Sequence, residues 1–394
     1  SIDVNPSGSP ESSFPIEQLT TDILAGSCST VNNISSSTGT ADNVIVGQTG
    51  PSFGYFVNGG GAFPITNGVV LSTGRAIDAV GPNDSPDTTG GTGTGTWDGD
   101  TDMQQILDVR YGDTYPTNNA SVLEFDFVPV GNNISFDYVF ASEEWNSGSY
   151  ECPGSTVQDG FAFIISGPGI VQDTFDHDNN PATPETPFAH GGKNIALIPD
   201  TIQPVNVGTI YNNPDCSPST SYQTLHVNNT GAAATTSPVE FNAMTVILTA
   251  QSDVTPGATY HLKLVIADRG DDAFDSAVFL AANSFDAAVS LGSDITICEG
   301  ANSVLTANGT FSGSQSYEWQ LNGSTISGAT ANTLSVDTAG TYLVTVTDGD
   351  CTATDTVVVS LASSSVETSV PDMILTDTDS DGFMTFDLSS NDAL

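Results

Sequence analysis

Asp377-Thr378-Asp379-Ser380-Asp381-Gly382 sets three carboxylates at alternate positions with a glycine at the sixth, the spacing by which a loop wraps oxygen ligands around Ca2+. The acid that closes an EF-hand at its twelfth position is missing: Leu388 stands there, and Asp387 is one short. Two further runs offer oxygen ligands of the same kind. Asp98, Asp100 and Asp102 precede a helical segment, and Asp176 and Asp178 flank His177 on a loop; in both, the competing reading is a turn, with an N-cap in the first.

Glu143 and Glu144 follow one strand, and Asp268, Asp271, Asp272 and Asp275 follow another. If those strand ends meet, they form a hard-cation site or a ligand-binding edge, with Glu143, Glu144, Asp268, Asp272 and Asp275 as acceptors for sugar hydroxyls and Trp145, like Trp97, as a stacking face. The plainer reading is an acid cluster that hydrogen-bonds loop backbone. A hydrolase reading pairs Glu143 or Glu144 with Asp272 or Asp275 across a glycosidic bond. Adjacent strand residues point to opposite faces, so Glu143 and Glu144 cannot flank one bond together while the strand continues. Other chemistries lack their residues. His177, His190, His226 and His261 show no zinc spacing, no Gly-x-Ser-x-Gly elbow occurs, and no Gly-Lys-Ser/Thr follows the Gly90 to Thr96 stretch.

These acids belong to a chain of 394 residues with 5 Lys+Arg against 47 Asp+Glu, a formal net charge of −42. Nucleic-acid and anionic membrane binding are excluded, since both need clustered cations, and only Arg75, Arg110, Lys193, Lys263 and Arg269 are present. Such unopposed charge repels itself on folding, which bound divalent cations would relieve. The 19 Phe, 10 Tyr and 3 Trp are too many for a disordered acidic chain. Five cysteines, seven Asn-x-Ser/Thr sequences and abundant Ser, Thr and Gly point to an extracellular protein. No run of eighteen apolar residues occurs, so no membrane insertion is expected in this segment. The first residues are not a signal peptide, which implies an export signal already removed, and the abrupt end at Leu394 suggests a longer parent.

The elements that must position the acids are mostly strands. Leu123, Phe125 and Phe127 alternate with acids, and Ile134 to Phe140, Phe161 to Ile165 and Tyr260 to Ile266 repeat the period of two. Helical spacing appears only at Ile16 to Leu24 and at Met103 to Leu107, the latter capped by Thr101 or Asp102. The fold class is therefore all-β. A large β-sandwich with long loops and one or two short helices spans 1–286, an Ig-like β-sandwich spans 287–361, a linker covers 362–370, and a further β unit begins at 371–394. Cys298 and Cys351 flank the small sandwich and are expected to pair; Cys152 with Cys216 is the second expected pair, leaving Cys28 over. Tyr342 lies nine residues before Cys351, a spacing that argues against a tyrosine corner.

Residues 16–285 resemble the choice-of-anchor L domain of secreted Bacteroidota surface proteins. The resemblance rests on Phe63-Pro64-Ile65, Gly68 to Gly74, Gly81-Pro82-Asn83, Gly99 to Asp102 and Val122 to Phe127, and most distinctively on Val139-Phe140-Ala141-Ser142-Glu143-Glu144-Trp145 and Asp159 to Ile170. Asn194 to Pro199, Ile266 to Asp268 and Asp275 to Leu280 complete it, and Trp145 stands where the family usually carries Tyr. The resemblance implies no established activity. It implies export, typically by the type IX secretion system, and display outside the cell at its surface in adhesion or gliding, often on Ig-like repeats. The expectation is a non-enzymatic adhesin that binds a glycan or a cell-surface protein, contacts the secretion machinery during export, and is supported by structural Ca2+. The alternatives are the carbohydrate-active hydrolase above and a structural component of a surface filament or stalk.

Overall fold

The computed structural model describes residues 1–25, 30–43, 48–84, 97–129, 133–176, 182–283, 289–308, 315–348, 351–362, 376–379 and 381–383. Its larger part is a sandwich of two mainly antiparallel sheets, as the alternating patterns require. Six strands carry the argument: β1 (Asn67–Ser72), β2 (Thr117–Val128), β3 (Asn133–Ser142), β4 (Gly160–Ser166), β5 (Tyr260–Arg269) and β6 (Ser276–Ala281). In one sheet β6 lies between β1 and β3; in the other β5 lies between β4 and β2. Leu123, Phe125 and Phe127 of β2, Phe161, Phe163 and Ile165 of β4 and Leu262, Leu264 and Ile266 of β5 meet Val69, Leu71, Phe136, Tyr138, Phe140, Val278 and Leu280 of the facing sheet in one core. Phe136 stacks on Phe163 with centroids 5.3 Å apart, and Tyr138 meets Phe161 at 5.4 Å.

Both outer faces are also covered, which is why these strands lose their alternation near their ends. On the outer face of the first sheet, Ile2, Val4 and Phe56 from its own strands cluster with Phe63, Phe241, Val139, Ala141 and Phe279. Behind the second, the helix Thr101–Tyr111 lays Met103, Ile106 and Leu107 on Ala162, Ile164, Val265 and Ala267. Its N-cap is Asp100, one position before the expected residues: Asp100 Oδ1 accepts from the backbone N–H of Asp102 and of Met103 at 3.0 and 2.9 Å. The Ile16 to Leu24 segment is helical as well, an α turn followed by a wider π turn.

Residues 289–362 form a second module with its own core around the fully buried Trp319. One sheet runs in the order Ile295–Cys298, Cys351–Ala362, Gly340–Asp348, Ser316–Leu321, Ser324–Thr325; the other pairs Ser303–Thr306 with Thr333–Val336. Two expectations fail here for one reason. The first pair is parallel, with Cys298 beside Ala362, so Cys351 lies at the opposite end of that strand, eleven residues or about 36 Å away at 3.3 Å per residue. Cys298 is free and exposed, and no Cys298–Cys351 disulfide exists. Nor is the tyrosine corner missing: Tyr342, at the start of its strand, donates its hydroxyl to the Thr338 carbonyl at 2.9 Å. Cys351 belongs to a different strand and was the wrong reference point; Val344, two residues after Tyr342, packs in the core with Leu305 and Trp319 where antibody domains carry cysteines. Beyond this module, Cys28, the 363–370 segment and most of 371–394, where a further β unit is expected, lie outside the described residues.

Candidate functional site

The ends of β3 and β6 are adjacent across one sheet, with Ser276 opposite Ser142 and the Glu143 N–H donating to the Asp275 carbonyl at 3.1 Å. In the other sheet Ala267 of β5 lies opposite Gly160 of β4, which brings Asp268 and Asp159 to the same end of the sandwich. The acids from both sheets converge there, in the interior. Glu143, Glu144, Asp159, Asp268 and Asp275 are 1, 1, 0, 0 and 2% exposed. Asp271 is half-buried on the turn that closes over them, and Asp272 is exposed.

Hydrogen bonds tie the cluster to both sheets. Glu144 Oε2 accepts from the Asp159 N–H at 2.9 Å. Asp159 accepts at Oδ1 from the Arg269 N–H (3.1 Å) and at Oδ2 from the Ser276 hydroxyl (2.7 Å). Asp268 Oδ2 accepts from Asn119 Nδ2 at 2.9 Å. Glu144 Oε1, Asp268 Oδ1, Asp271 Oδ1 and Asp275 Oδ2 are buried atoms with no hydrogen-bond donor. Desolvation pushes the Asp268 carboxyl up to about 7 and raises Glu144, Asp159 and Asp275 well above the ordinary carboxylate range; neighbouring acids raise these three further. Cations do not compensate. Arg269, which follows Asp268 directly, turns its guanidinium to Asp113 and to the faces of Tyr111 and Tyr115, with Nε and Nη1 buried without a hydrogen-bond partner. Arg75 pairs with Asp78, and Lys263 with Asp100 and Asp102.

The expected ligand-binding edge is thus brought together but sealed. Trp145 is fully buried: its indole N–H donates to the Ile210 and Val207 carbonyls at 2.7 and 3.2 Å, and its ring packs edge-on against Phe140 and His226. It is a core residue and not a stacking face for sugar. Trp97 is half-buried, its indole N–H donating to the Ala120 carbonyl. Of the six residues assigned to ligand binding, only Asp272 faces solvent. Asp159 was missed, although Asp159-Gly160 repeats the pattern of Asp275-Ser276, an acid immediately before a fully buried strand.

The other acidic runs separate. Asp98, Asp100 and Asp102 do not draw together as a three-acid set: Asp100 caps the helix, and the Lys263 ammonium lies 2.6 Å from Asp100 Oδ2 and 2.7 Å from Asp102 Oδ2. Asp178 lies outside the described residues, so the expected Asp176 and Asp178 pair is not described. Asp377, Asp379 and Asp381 do converge, with one ligand oxygen from each within 4.8 Å of the others. The Gly382 N–H turns back to Asp377 Oδ2 at 3.1 Å. Cys152 and Cys216, the second expected pair, are joined by a disulfide.

The fold and site define a β-sandwich module sealed around a carboxylate cluster and followed by an Ig-like module. The chain belongs to the Choice-of-anchor L domain family, whose match spans residues 4–286. Membership places it among surface or secreted proteins, and neither module is of a catalytic kind. A comparison with curated proteins finds no match. Among solved structures it is similar to the two Ig domains of DIP-gamma, at 12% identity and a TM-score of 0.18 over 27% of this chain and 68% of that one. It is similar too to the four N-terminal Ig domains of Dscam1 isoform 4.44, at 14% identity and 0.18 over 28% of this chain and 34% of that one. Likenesses this distant carry no argument; the Ig-like character of residues 289–362 rests on their own strand order. No helix among the described residues is long and apolar enough to cross a membrane.

Proposed function

We propose that the chain is an adhesin-like, non-catalytic binding protein displayed at the cell surface, exported by the type IX secretion machinery and acting in adhesion or gliding. Its ligand is a glycan or another surface protein. The observation that carries the reading against a hydrolase is burial: Glu143, Glu144 and Asp275 are at most 2% exposed, where no glycosidic bond can reach them. A glycosidase needs its two carboxyls across an open cleft that admits sugar and water. Family membership and an Ig-like module on the same chain support a recognition role. Calcium supports the fold in this reading, and Asp377, Asp379 and Asp381 form one ligand set at the exposed loop.

The experiment is a binding screen of the purified chain on a glycan array and on intact cells of the producing organism, run beside an assay for released reducing sugar. Binding without sugar release is expected. Release of sugar that follows the protein through purification would overturn the reading, and absence of the protein from the shaved surface of intact cells would remove the display.

A further inference from the structure

A second polar cluster, between the helix Thr101–Tyr111 and the outer face of the second sheet, is built around one of the chain's two lysines. Lys263 lies on β5 with its side chain 11% exposed. Its ammonium stands 2.6 Å from Asp100 Oδ2 and 2.7 Å from Asp102 Oδ2, with Glu124 Oε1 at 4.0 Å. Arginine serves a fixed ion pair at least as well, and three of the chain's five cations are arginines. Of the two residue types only lysine can give up a proton and become a nucleophile.

Asp100 is held as the acceptor for such a nucleophile. Its Oδ1 accepts from the Asp102 and Met103 N–H groups at the helix N-terminus, at 3.0 and 2.9 Å, so negative charge developing on that oxygen is stabilised where it forms. Its backbone is pinned to β2: the Asp100 N–H donates to Thr117 Oγ1 at 3.0 Å, and the Thr117 hydroxyl donates to the Asp100 carbonyl at 2.9 Å. A Cβ on Gly99 would lie 1.9 Å from the Thr117 carbonyl oxygen, so glycine is what lets the two segments come this close. Phe188 to His190 close over the helix's first turn. The Ala189 N–H donates to Gln105 Oε1 at 2.8 Å, and His190, stacked on Phe188, is half-buried.

We infer that Lys263 and Asp100 condense into an amide that ties the helix to the central strand of the second sheet, with Asp102 as the proton carrier. Lys263 Nζ passes one proton to Asp102 Oδ2, and its lone pair attacks Asp100 Cγ while the carbonyl electron pair moves onto Oδ1. A second Nζ proton and the proton held by Asp102 go to Oδ2. The Cγ–Oδ2 bond breaks and water leaves as the electron pair returns from Oδ1. One ammonium and one carboxylate become one amide and one water, Asp102 ends ionised as it began, and nothing is oxidised or reduced. Burial favours the neutral amine, but the hydrogen bonds to Asp100 and Asp102 hold the ammonium pKa above its ordinary value, so the amine is freed only by proton transfer within the cluster. Condensation of free ions in water is unfavourable; two groups held in contact by folded elements supply the effective concentration that reverses it. The amide keeps Oδ1 and with it both N-cap hydrogen bonds. None of this depends on what the protein binds.

The test is the intact mass of the purified, folded full chain, measured after reduction of Cys152–Cys216. A mass lower than that of the sequence by one water is expected. A tryptic digest should hold residues 76–110 joined to 194–269 and uncut after Lys263, with fragment ions that assign the link to Asp100 and Lys263. Lys263→Arg keeps a cation beside both acids and should show the full mass and a cut at that position. Asp102→Asn keeps both reacting groups and should carry the amide in only a minor fraction of chains. Melting temperatures show which variants fold; if Lys263→Arg does not, the linked peptide of the parent decides alone. The full sequence mass in the parent, a water lost at another position, or the same deficit in folded Lys263→Arg overturns the proposal. A complete bond in folded Asp102→Asn overturns the assignment of Asp102 as proton carrier.

Discussion

Ser276 and Asp159 join the two sheets: Ser276 opens β6 in one, Asp159 stands immediately before β4 in the other, and the hydroxyl donates to Asp159 Oδ2 at 2.7 Å. The bond is fully buried and its acceptor is an acid. Removing the donor leaves that oxygen without a partner in a place water does not reach. Ser276→Ala is expected to cost about 1–3 kcal/mol, the range for leaving a buried polar group unsatisfied. Urea unfolding should show a lower midpoint with an unchanged slope.

Gly74→Ala attacks the same cluster from the other side. The new methyl would lie 1.8 Å from Asp275 Oδ2 and 2.4 Å from its Cγ, so the carboxyl must swing aside within a packed interior. Overpacking of this kind costs about 1–3 kcal/mol. Thermal unfolding should show a lower melting temperature than in the parent chain.

The Cys152–Cys216 bond closes a separation of 64 residues. A double Cys152→Ser, Cys216→Ser chain should lose about 2–4 kcal/mol, the usual worth of a disulfide. Without reductant, peptide mapping after alkylation should find Cys298 modified and Cys152 and Cys216 protected.

His226 gives the pH dependence a distinct source. Its ring lies against Trp145, and burial alone pushes its pKa down from 6.5 to about 4. The unfolded chain therefore binds a proton at this residue below pH 6.5 that the folded chain refuses until about pH 4. The sign follows: the His226 contribution is complete above pH 6.5 and is lost as pH falls toward 4. A His226→Gln chain should show a shallower fall in stability than the parent across that window, measured by urea midpoints. Parallel curves for the two chains would count against it.

The strands were legible because their inward faces carry large apolar residues at every second position, as in Leu123, Phe125 and Phe127. The convergence of the acids was legible from their place after strands. Their burial was not, because Asp and Glu are rarely fully buried and the one adjacent cation, Arg269, turns to Asp113 instead. The available signal was the continuous run Tyr138 to Ser142 leading into Glu143-Glu144-Trp145. A strand buried on both faces up to its last residue hands its next residues to the interior too. The cysteine error has another cause. Flanking positions suggest a staple across an antiparallel sandwich, and only the parallel pairing of Ile295–Cys298 with Cys351–Ala362, a long-range feature, puts the two residues at opposite ends.

The second module provides the last prediction, since it must be stable without a disulfide between Cys298 and Cys351. What holds it is a core of Trp319, Leu305, Val344, Val346 and Val357, with Tyr342 pinning the turn before its strand through the Thr338 carbonyl. Tyr342 is buried along its ring, so Tyr342→Phe keeps the packing and deletes only the hydroxyl's bond, at a cost of about 1 kcal/mol. Cys298 is free and exposed, and Cys298→Ser is a surface change expected to fall within about 0.5 kcal/mol of no effect. Native-state hydrogen exchange separates the two. Amides of Gly340–Asp348 should exchange faster in Tyr342→Phe, by about fivefold for 1 kcal/mol, and at the parent rate in Cys298→Ser. Faster exchange throughout 289–362 in Cys298→Ser, with no change in Tyr342→Phe, would return the staple to the cysteine and remove the tyrosine from its role.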